Sequence, residues 1–328
     1  MMAVLQRGHE EMGESMDREV VMDVQGLVKT YGDFVAVNGV DFQVHKGEVF
    51  GLLGPNGAGK STLIGMLTCV LAPTKGKATL MGFDLASRQE DIKKVVGLVP
   101  QDLALYQTLS ARDNLAFFGA LHGLKGGRLK ERIKDVLNVA RLEEWADRPV
   151  KTYSGGMKRR LNLAIGLLHE PAILFLDEPT VGVDPQSRNH IFESIRQLIE
   201  KGLTVFYTTH YMEEAQSLCH RVGIFDRGQL VALDTPKNLI QNVQSRTLEV
   251  GVLVLPPGVL EETRALSTVE QVLFEENILY ITAADVPTAA VHVLSLLKER
   301  QVSVTSVNTP EVNLETVFLK YTGKTLRD

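Results

Sequence analysis

The sequence predicts an α/β fold with a doubly wound parallel sheet, and three observations predict it. An apolar run, Glu48–Leu53, stops at a glycine-rich turn, and apolar residues at helical spacing follow it. A second run, Ala172–Leu176, is continuously apolar, as expected of a parallel strand buried on both faces, and Thr204–Thr208 is predicted to be another buried strand. A helical pattern over Ile191–Ile199 separates these two segments. Strands that alternate with helices in this way indicate a doubly wound α/β core.

The segments around this core divide the chain further. Further strand-like patterns, and a helical spacing of apolar residues after the glycine turn, indicate that the main domain extends beyond the core. This domain is expected to span residues 19–240. Residues 1–18 lack a basic segment followed by an apolar one, which predicts a disordered lead-in rather than a signal peptide. Residues from about 102 to 168 form a helical subdomain, with Ser110 as a candidate helix cap. The additional strands are predicted at Val20–Val28, Val35–Val44 and Val95–Val99, and the helical positions are Leu63, Met66, Leu67 and Val70.

A change of pattern near residue 240 predicts a second domain over residues 241–328. Its segments follow the order strand, helix, strand, strand, helix, strand, and a final helix is expected at Leu314–Tyr321. This order indicates a small α+β accessory domain of ferredoxin-like topology. The stretch Pro256-Pro257-Gly258 breaks the first strand and is a candidate linker.

Composition argues against several classes of protein. The 328 residues include 35 basic and 40 acidic ones, for a net charge of -5, and no segment is dominated by basic residues, so a nucleic-acid partner is not expected. The two cysteines, Cys69 and Cys219, are far apart and predict neither a disulfide framework nor a zinc site, which fits a reducing cytoplasm. No apolar run reaches the ~18 residues of a membrane-spanning helix.

The glycine-rich turn matches the phosphate-loop pattern G-x-x-x-x-G-K-[ST]. Glycines let backbone N–H groups point into one concavity, and the helix that follows adds its positive end. Lys60 is expected to contact the β- and γ-phosphates, Ser61 to bind Mg²⁺, and Thr62 to add a phosphate contact. The expected cofactors are therefore ATP and Mg²⁺. The nucleotide-binding set is Gly54, Pro55, Asn56, Gly57, Ala58, Gly59, Lys60, Ser61 and Thr62.

A pair of carboxylates follows the buried run Ala172–Leu176. Ligands of open α/β sheets gather at the carboxyl ends of strands, where two adjacent carboxylates are costly without a cation. Asp177 is therefore assigned to the Mg²⁺ side of the site, and Glu178 to the water that attacks the γ-phosphate.

Several further motifs narrow the class. Tyr153-Ser154-Gly155-Gly156-Met157 opens an amphipathic helix, and alone it would indicate only a helix cap. In order along the chain with the other motifs, it resembles the signature of ATPase subunits of ABC transporters, a resemblance that covers residues 20–235. The set is Tyr31 in KTYG, the phosphate loop, Gln101 in VPQD, YSGGM, ILFLDEP, Gly182-Val183-Asp184 and His210.

The resemblance implies a phosphate-loop core of the ABC ATPase type and a role for each residue. Tyr31 would stack on adenine, and Gln101 would touch Mg²⁺ and the attacking water. Asp184 would lie at the dimer seam. His210 would contact the γ-phosphate and Glu178. The signature residues Ser154, Gly155 and Gly156 would hold the γ-phosphate of ATP bound to a second copy of the chain.

The motifs also depart from the family's commonest pattern, which has Leu in place of Tyr153 and Gln in place of Met157. These variants resemble those of two-component export systems of the ABC-2 kind. Residues 314–323, LETVFLKYTG, are similar to the end of daunorubicin-type exporter ATPases.

The resemblance therefore implies an ATP-sandwich homodimer at the cytoplasmic face of the membrane, which energises export through a separate integral membrane permease. Three alternatives remain open at this stage: an importer ATPase, an ABC ATPase that acts on DNA or ribosomes, and a binding module without catalysis. Lys60, Glu178 and His210 argue against the last. The lack of a long coiled-coil insert or basic tracts argues against the DNA or ribosome class.

Overall fold

The computed structural model describes residues 19–243, 247–309 and 313–322. The predicted lead-in over residues 1–18 lies outside this part of the chain. Contacts divide the chain into two compact units, the first reaching Pro236 and the second spanning Lys237–Lys320. Within the described residues, every helix is too short or too polar to cross a bilayer.

The first unit alternates strands and helices along much of its length. Its strands are β1 (Val20–Tyr31), β2 (Phe34–His45), β3 (Val49–Leu53), β4 (Lys75–Leu80), β5 (Phe83–Asp84), β6 (Val96–Val99), β7 (Ile173–Asp177), β8 (Thr204–Thr209), β9 (Arg221–Asp226) and β10 (Gln229–Asp234). Its helices are α1 (Lys60–Leu67), α2 (Gln89–Val95), α3 (Ala111–Leu121), α4 (Gly126–Ala140), α5 (Gly155–Gly166), α6 (Pro185–Glu200) and α7 (Met212–Leu218).

The predicted parallel sheet is present, with strand order β10-β9-β3-β8-β7-β6. Strands β9, β3, β8, β7 and β6 run parallel, and β10 pairs antiparallel with β9. Every residue of β3, β7 and β8 is buried, as expected of strands covered on both faces. Phe50, Phe175 and Phe206 pack in this core, and the ring of Phe206 lies 5.3 Å from each of the other two.

The two N-terminal strands belong to a second, four-stranded sheet, which sequence analysis did not separate from the core. Its order is β2-β1-β4-β5, and all its pairs are antiparallel. Exposed and buried residues are interspersed along β2, which is typical of a sheet with one covered face. The two-residue connection of Gly32 and Asp33 joins β1 to β2 as a hairpin, so these strands cannot be parallel neighbours.

The helical segment after β6 agrees with its prediction. The Ser110 side chain caps α3 by accepting a hydrogen bond from the Asp113 N–H. Helix α4 buries Ile133 and Leu137 and packs against α5. One detail of the predicted helical spacing is wrong: α1 ends at Leu67, and Val70 lies beyond it with 67% of its surface exposed.

The second unit has the element order predicted for it. Its elements are α8 (Pro236–Gln241), which begins at the boundary, β11 (Thr247–Val252), α9 (Val259–Arg264), β12 (Gln271–Glu275), β13 (Ile278–Thr282), α10 (Val286–Glu299), β14 (Val304–Asn308) and α11 (Leu314–Thr322). The sheet is antiparallel, in the order β12-β13-β11-β14 expected of a ferredoxin-like topology. Pro256-Pro257-Gly258 is not a linker between domains, because it joins β11 to α9 inside this unit.

Candidate functional site

The glycine-rich turn joins β3 to α1, and close backbone contacts explain two of its glycines. A Cβ on Gly54 would lie 2.2 Å from the carbonyl oxygen of Phe225, and one on Gly59 would lie 2.2 Å from that of Ala36. Gly59 also has φ +108°, a conformation that side chains rarely adopt. The turn therefore lies against β2 and β9 and leads into the N-terminus of α1, where backbone N–H groups lack partners within the helix.

Lys60, the first residue of α1, is buried within this turn. Its ammonium donates to the carbonyl oxygens of Gly54, at 2.6 Å, and Pro55, at 2.9 Å. It also forms an ion pair with Glu178 Oε1 at 2.9 Å. The structure thus brings the predicted phosphate-binding lysine and the predicted catalytic carboxylate into direct contact. Ser61, the next residue, is exposed at the same helix end, and Thr62 is half-buried.

The two carboxylates stand at the end of β7, and both are buried. Asp177 Oδ1 accepts from the Thr208 hydroxyl at 2.7 Å, and the oxygen of that hydroxyl accepts from the Glu178 N–H at 3.0 Å. Glu178 has φ +47°, which is costly for a residue with a side chain and persists only where the surroundings enforce it. Backbone strain of this kind is concentrated at functional sites.

His210 and Gln101 complete the surroundings of Glu178. His210 Nδ1 lies 3.1 Å from Glu178 Oε2, and Gln101 Nε2 donates to the same oxygen at 3.4 Å. These groups come together with Lys60 because the strands that precede them, β3, β8, β7 and β6, are consecutive neighbours in the sheet. Open α/β sheets bind their ligands at the carboxyl ends of such strands.

Two residues that sequence reasoning missed support this cluster. Thr208 contacts both carboxylate positions at the end of β7. Arg159, on α5, donates through its guanidinium to the carbonyl oxygens of Gln101 and, at 3.3 Å, of Val181. Burial lowers the pKa of Arg159 from its usual value. The basic run after Met157 was a visible signal, but nothing in its spacing shows which of its side chains turns inward.

The predicted signature residues meet the N-terminus of α6. Ser154 caps α5 by accepting from the Met157 N–H at 3.2 Å, and Asp184 caps α6 by accepting from the Ser187 N–H at 2.9 Å. A Cβ on Gly156 would lie 2.0 Å from the Ser187 hydroxyl, whereas a Cβ on Gly155 would meet no atom within 4 Å. The N-terminus of α5 is therefore packed on one side and open on the other. No described contact joins these residues to Lys60 of the same chain.

Tyr31 lies at the end of the β1–β2 hairpin, where 48% of its surface is exposed. The Lys29 ammonium is 5.0 Å from the centre of its ring. In the part of the chain that is described, no contact joins Tyr31 to Lys60 or Glu178. Its ring has the exposed surface that stacking on a base requires.

The donor set fits a magnesium ion. The predicted ligands, Ser61, Asp177 and Gln101, offer oxygen atoms, which Mg²⁺ prefers. Among the described residues, no group of three or more histidine, cysteine or acidic side chains could hold a metal alone. Mg²⁺ is usually bound by one or two carboxylates together with the phosphates of a nucleotide, so this sparse set suits it.

The parallel sheet, the phosphate loop and the carboxylates at the end of β7 define a phosphate-loop ATPase. A family model described as "ABC transporter" matches residues 37–181. The linearmycin resistance ATP-binding protein LnrL of Bacillus subtilis is 42% identical over 315 residues, covering 94% of this chain and 100% of the relative. The Nod factor export ATP-binding protein I of Paraburkholderia xenovorans is 38% identical, covering 94% and 99%. The chain belongs to the ABC transporter family, as an ATP-binding subunit that hydrolyses ATP.

Solved structures share the fold of the first unit. The protein cbiO1 of Clostridium perfringens, described as part of the ABC transporter complex cbiONQ, has a TM-score of 0.62 and 26% identity, covering 69% of this chain and 94% of its own. The ATP-binding cassette MJ0796, solved as a dimer in a post-hydrolysis state bound to ADP and Pi, has a TM-score of 0.60 and 25% identity, covering 65% and 98%. One of these similar proteins is thus a dimer, and the other is part of a transporter complex.

Proposed function

We propose that two copies of this chain close around two ATP molecules and energise export through a separate integral membrane permease. The observation that carries this proposal is the convergence on Glu178, whose carboxylate is contacted by Lys60, His210 and Gln101. The first of these belongs to the phosphate loop, and the other two follow neighbouring strands. A water molecule placed beside Glu178 would therefore lie next to the γ-phosphate that Lys60 binds.

Hydrolysis then needs little beyond positioning and charge neutralisation. The water oxygen attacks the γ-phosphorus, the bond to the bridging oxygen of ADP breaks, and Glu178 orients the water and accepts its proton. His210 holds the γ-phosphate and the Glu178 carboxylate in line. Ser61, Asp177 and Gln101 would hold Mg²⁺, and that ion would supply positive charge to offset the charge of the phosphates.

The open side of α5 supplies the second half of the site. Ser154 and Gly155 present a hydroxyl and a bare backbone at a helix N-terminus, which favours a phosphate. A Cβ on Gly155 would meet no described atom within 4 Å, so this helix end has room for the γ-phosphate of ATP bound to the other copy. Asp184, at the neighbouring helix end, lies at the seam between the copies. Tyr31 stacks on the adenine.

Export is favoured by the relatives' names, which describe linearmycin resistance, daunorubicin resistance and Nod factor export. We place the dimer at the cytoplasmic face of the membrane, where ATP is available and the permease is accessible. Residues 241–328 would act as an accessory domain that is not needed to bind nucleotide.

The test is Glu178→Gln, which keeps the shape of the side chain and removes its charge. We expect the rate of ATP hydrolysis to fall by about a hundredfold or more, since a general base is lost. ATP binding should be kept or strengthened, because the amide no longer competes for the Lys60 ammonium. Gel filtration with ATP and Mg²⁺ should then show a stable dimer.

The matched control is Glu213→Gln, which makes the same chemical change at an exposed position. It should hydrolyse ATP at the parent rate. A Glu178→Gln protein with parental turnover would remove Glu178 from this role and, with it, the proposed chemistry.

A further inference from the structure

A second buried carboxylate lies beside the site without belonging to it. Glu214, on α7, has 1% of its surface exposed. Its Oε1 accepts from the Thr180 hydroxyl at 2.7 Å. Its Oε2 accepts from the phenol of Tyr207 at 2.9 Å and from the Thr209 hydroxyl at 2.8 Å. Three hydroxyl donors thus converge on one charge.

Arg188, on α6, supplies the opposite charge. Its Nε is 3.5 Å from Glu214 Oε1 and has no hydrogen-bond partner. A buried carboxylate is costly unless it is paired and hydrogen-bonded, and Glu214 has both kinds of partner. Burial, and then the charge of Glu214, raises the pKa of Tyr207 well above its usual value, so the phenol stays protonated and can donate.

The residues on both sides of His210 in the chain contact this network. Thr209 precedes His210, and the oxygen of its hydroxyl also accepts from the Tyr211 N–H at 2.9 Å. The ring of Tyr211 lies 5.2 Å from the Arg188 guanidinium and 4.2 Å from the His210 ring. Both residues next to His210 are therefore tied to the Glu214 network.

Thr180, which donates to Glu214 Oε1, lies two residues after Glu178 in the chain. The Glu178 backbone, with φ +47°, needs support on both sides to keep this conformation. The Thr208 hydroxyl oxygen accepts a hydrogen bond from the Glu178 N–H, and the Thr180 hydroxyl donates one to Glu214. The segment from Thr180 leads to Asp184 and to α6, where Arg188 meets the same carboxylate.

We infer that Glu214 is a positioning residue, which fixes His210 and the segment 178–188 relative to each other so that Glu178 and His210 meet in the geometry for hydrolysis. This inference rests on the roles proposed above for Glu178 and His210. Glu214 touches neither of them directly, and it acts through Thr209 on one side and Thr180 on the other.

The experiment compares Glu214→Gln with Glu213→Gln in the full-length protein. Both residues lie in the first turn of α7, so each change removes one negative charge from the same helix end. We expect Glu214→Gln to lower kcat about tenfold or more, because charge-assisted hydrogen bonds are lost. The Kd for ATP should stay within about twofold of the parent value, since the phosphate loop is untouched. Glu213→Gln should match the parent in both.

A double-mutant cycle separates positioning from general damage. In a protein that already carries His210→Ala, Glu214→Gln should cause little further loss of kcat, because the contact between His210 and Glu178 that Glu214 supports is already lost. If the double variant loses kcat by the full product of the two separate losses, the inference is overturned. A kcat of Glu214→Gln equal to that of Glu213→Gln would also overturn it. If Glu214→Gln fails to fold, Thr180→Val and Tyr207→Phe each remove a single hydroxyl donor and take its place in the same cycle. Parental kcat in both would also overturn the inference, while the Glu178→Gln result would still decide the proposed chemistry on its own.

Discussion

Gly155 and Gly156 are neighbours in the chain and have opposite surroundings. The Cβ position of Gly156 is occupied by the Ser187 hydroxyl, 2.0 Å away, and also lies 3.1 Å from Asp184 Oδ2. The Cβ position of Gly155 is open to at least 4 Å. Gly156 therefore has a packing role inside the chain, and Gly155 has none that the described residues reveal.

This difference predicts opposite effects of alanine at the two positions. Gly156→Ala should lower the free energy of unfolding by about 1–3 kcal/mol, because α5 or the start of α6 must move. Gly155→Ala should leave it unchanged or raise it by up to about 1 kcal/mol, since alanine favours a helix. Urea unfolding followed by circular dichroism measures both. Equal destabilisation by the two variants would show that Gly155 is also packed.

For single residues, the order of motifs was enough to predict that Lys60, Glu178 and His210 belong to one site, and the structure brings these three together. Thr208, Arg159 and Glu214 were not predicted. Their contributions come from hydroxyl, guanidinium and carboxylate contacts across elements, and no spacing in the chain encodes such contacts. The conformation of Glu178 was also unpredictable, because the strain follows from its neighbours in space.

Among elements, strands buried on both faces were the easiest to predict, because β3, β7 and β8 consist mostly of apolar and β-branched residues. β4 and β5 were missed, since Lys75-Gly76-Lys77 resembles a loop and β5 has only two residues. β9 and β10 were also missed, because β9 has a charged residue at each end and β10 ends in one, which weakens the apolar pattern. The assignment of β1 and β2 to a separate sheet depends on long-range pairing with β4.

The division into units leads to a prediction for the C-terminal elements. Lys60, Glu178, His210 and Gln101 contact one another entirely within the first unit. A chain that ends near residue 240 should therefore bind ATP with a Kd within a fewfold of the full-length value, measured by calorimetry. A truncated protein that is insoluble or cannot bind nucleotide would show that residues 241–328 are part of the core.

For the whole molecule, the decisive prediction concerns sites shared between two copies. Lys60→Ala removes the phosphate-binding charge, and Gly155→Asp places an anion where the γ-phosphate of the other copy would lie. Each variant alone has both sites damaged. A mixed dimer has one site with both lesions and one intact site, so mixing should restore ATP-dependent dimers that hold about one nucleotide each.

The open surroundings of Gly155 make this a clean experiment, since aspartate there should not disturb the fold. Circular dichroism of each variant alone is the control. If mixing restores no bound nucleotide, the two halves of the site do not come from different copies. If the Gly155→Asp protein alone keeps parental activity, Gly155 serves only to start a helix.

The register of the parallel sheet determines which changes of chain length the protein can accept. Asp177 pairs with Thr208, and Thr208 pairs with Leu52, so the strand ends that carry the proposed catalytic groups are aligned residue by residue. An insertion or deletion of one residue within β3, β7 or β8 would turn the following side chains to the opposite face of the sheet. We therefore expect variation in length to be restricted to the connecting segments, such as the one between α3 and α4, where added residues leave the strand ends in place.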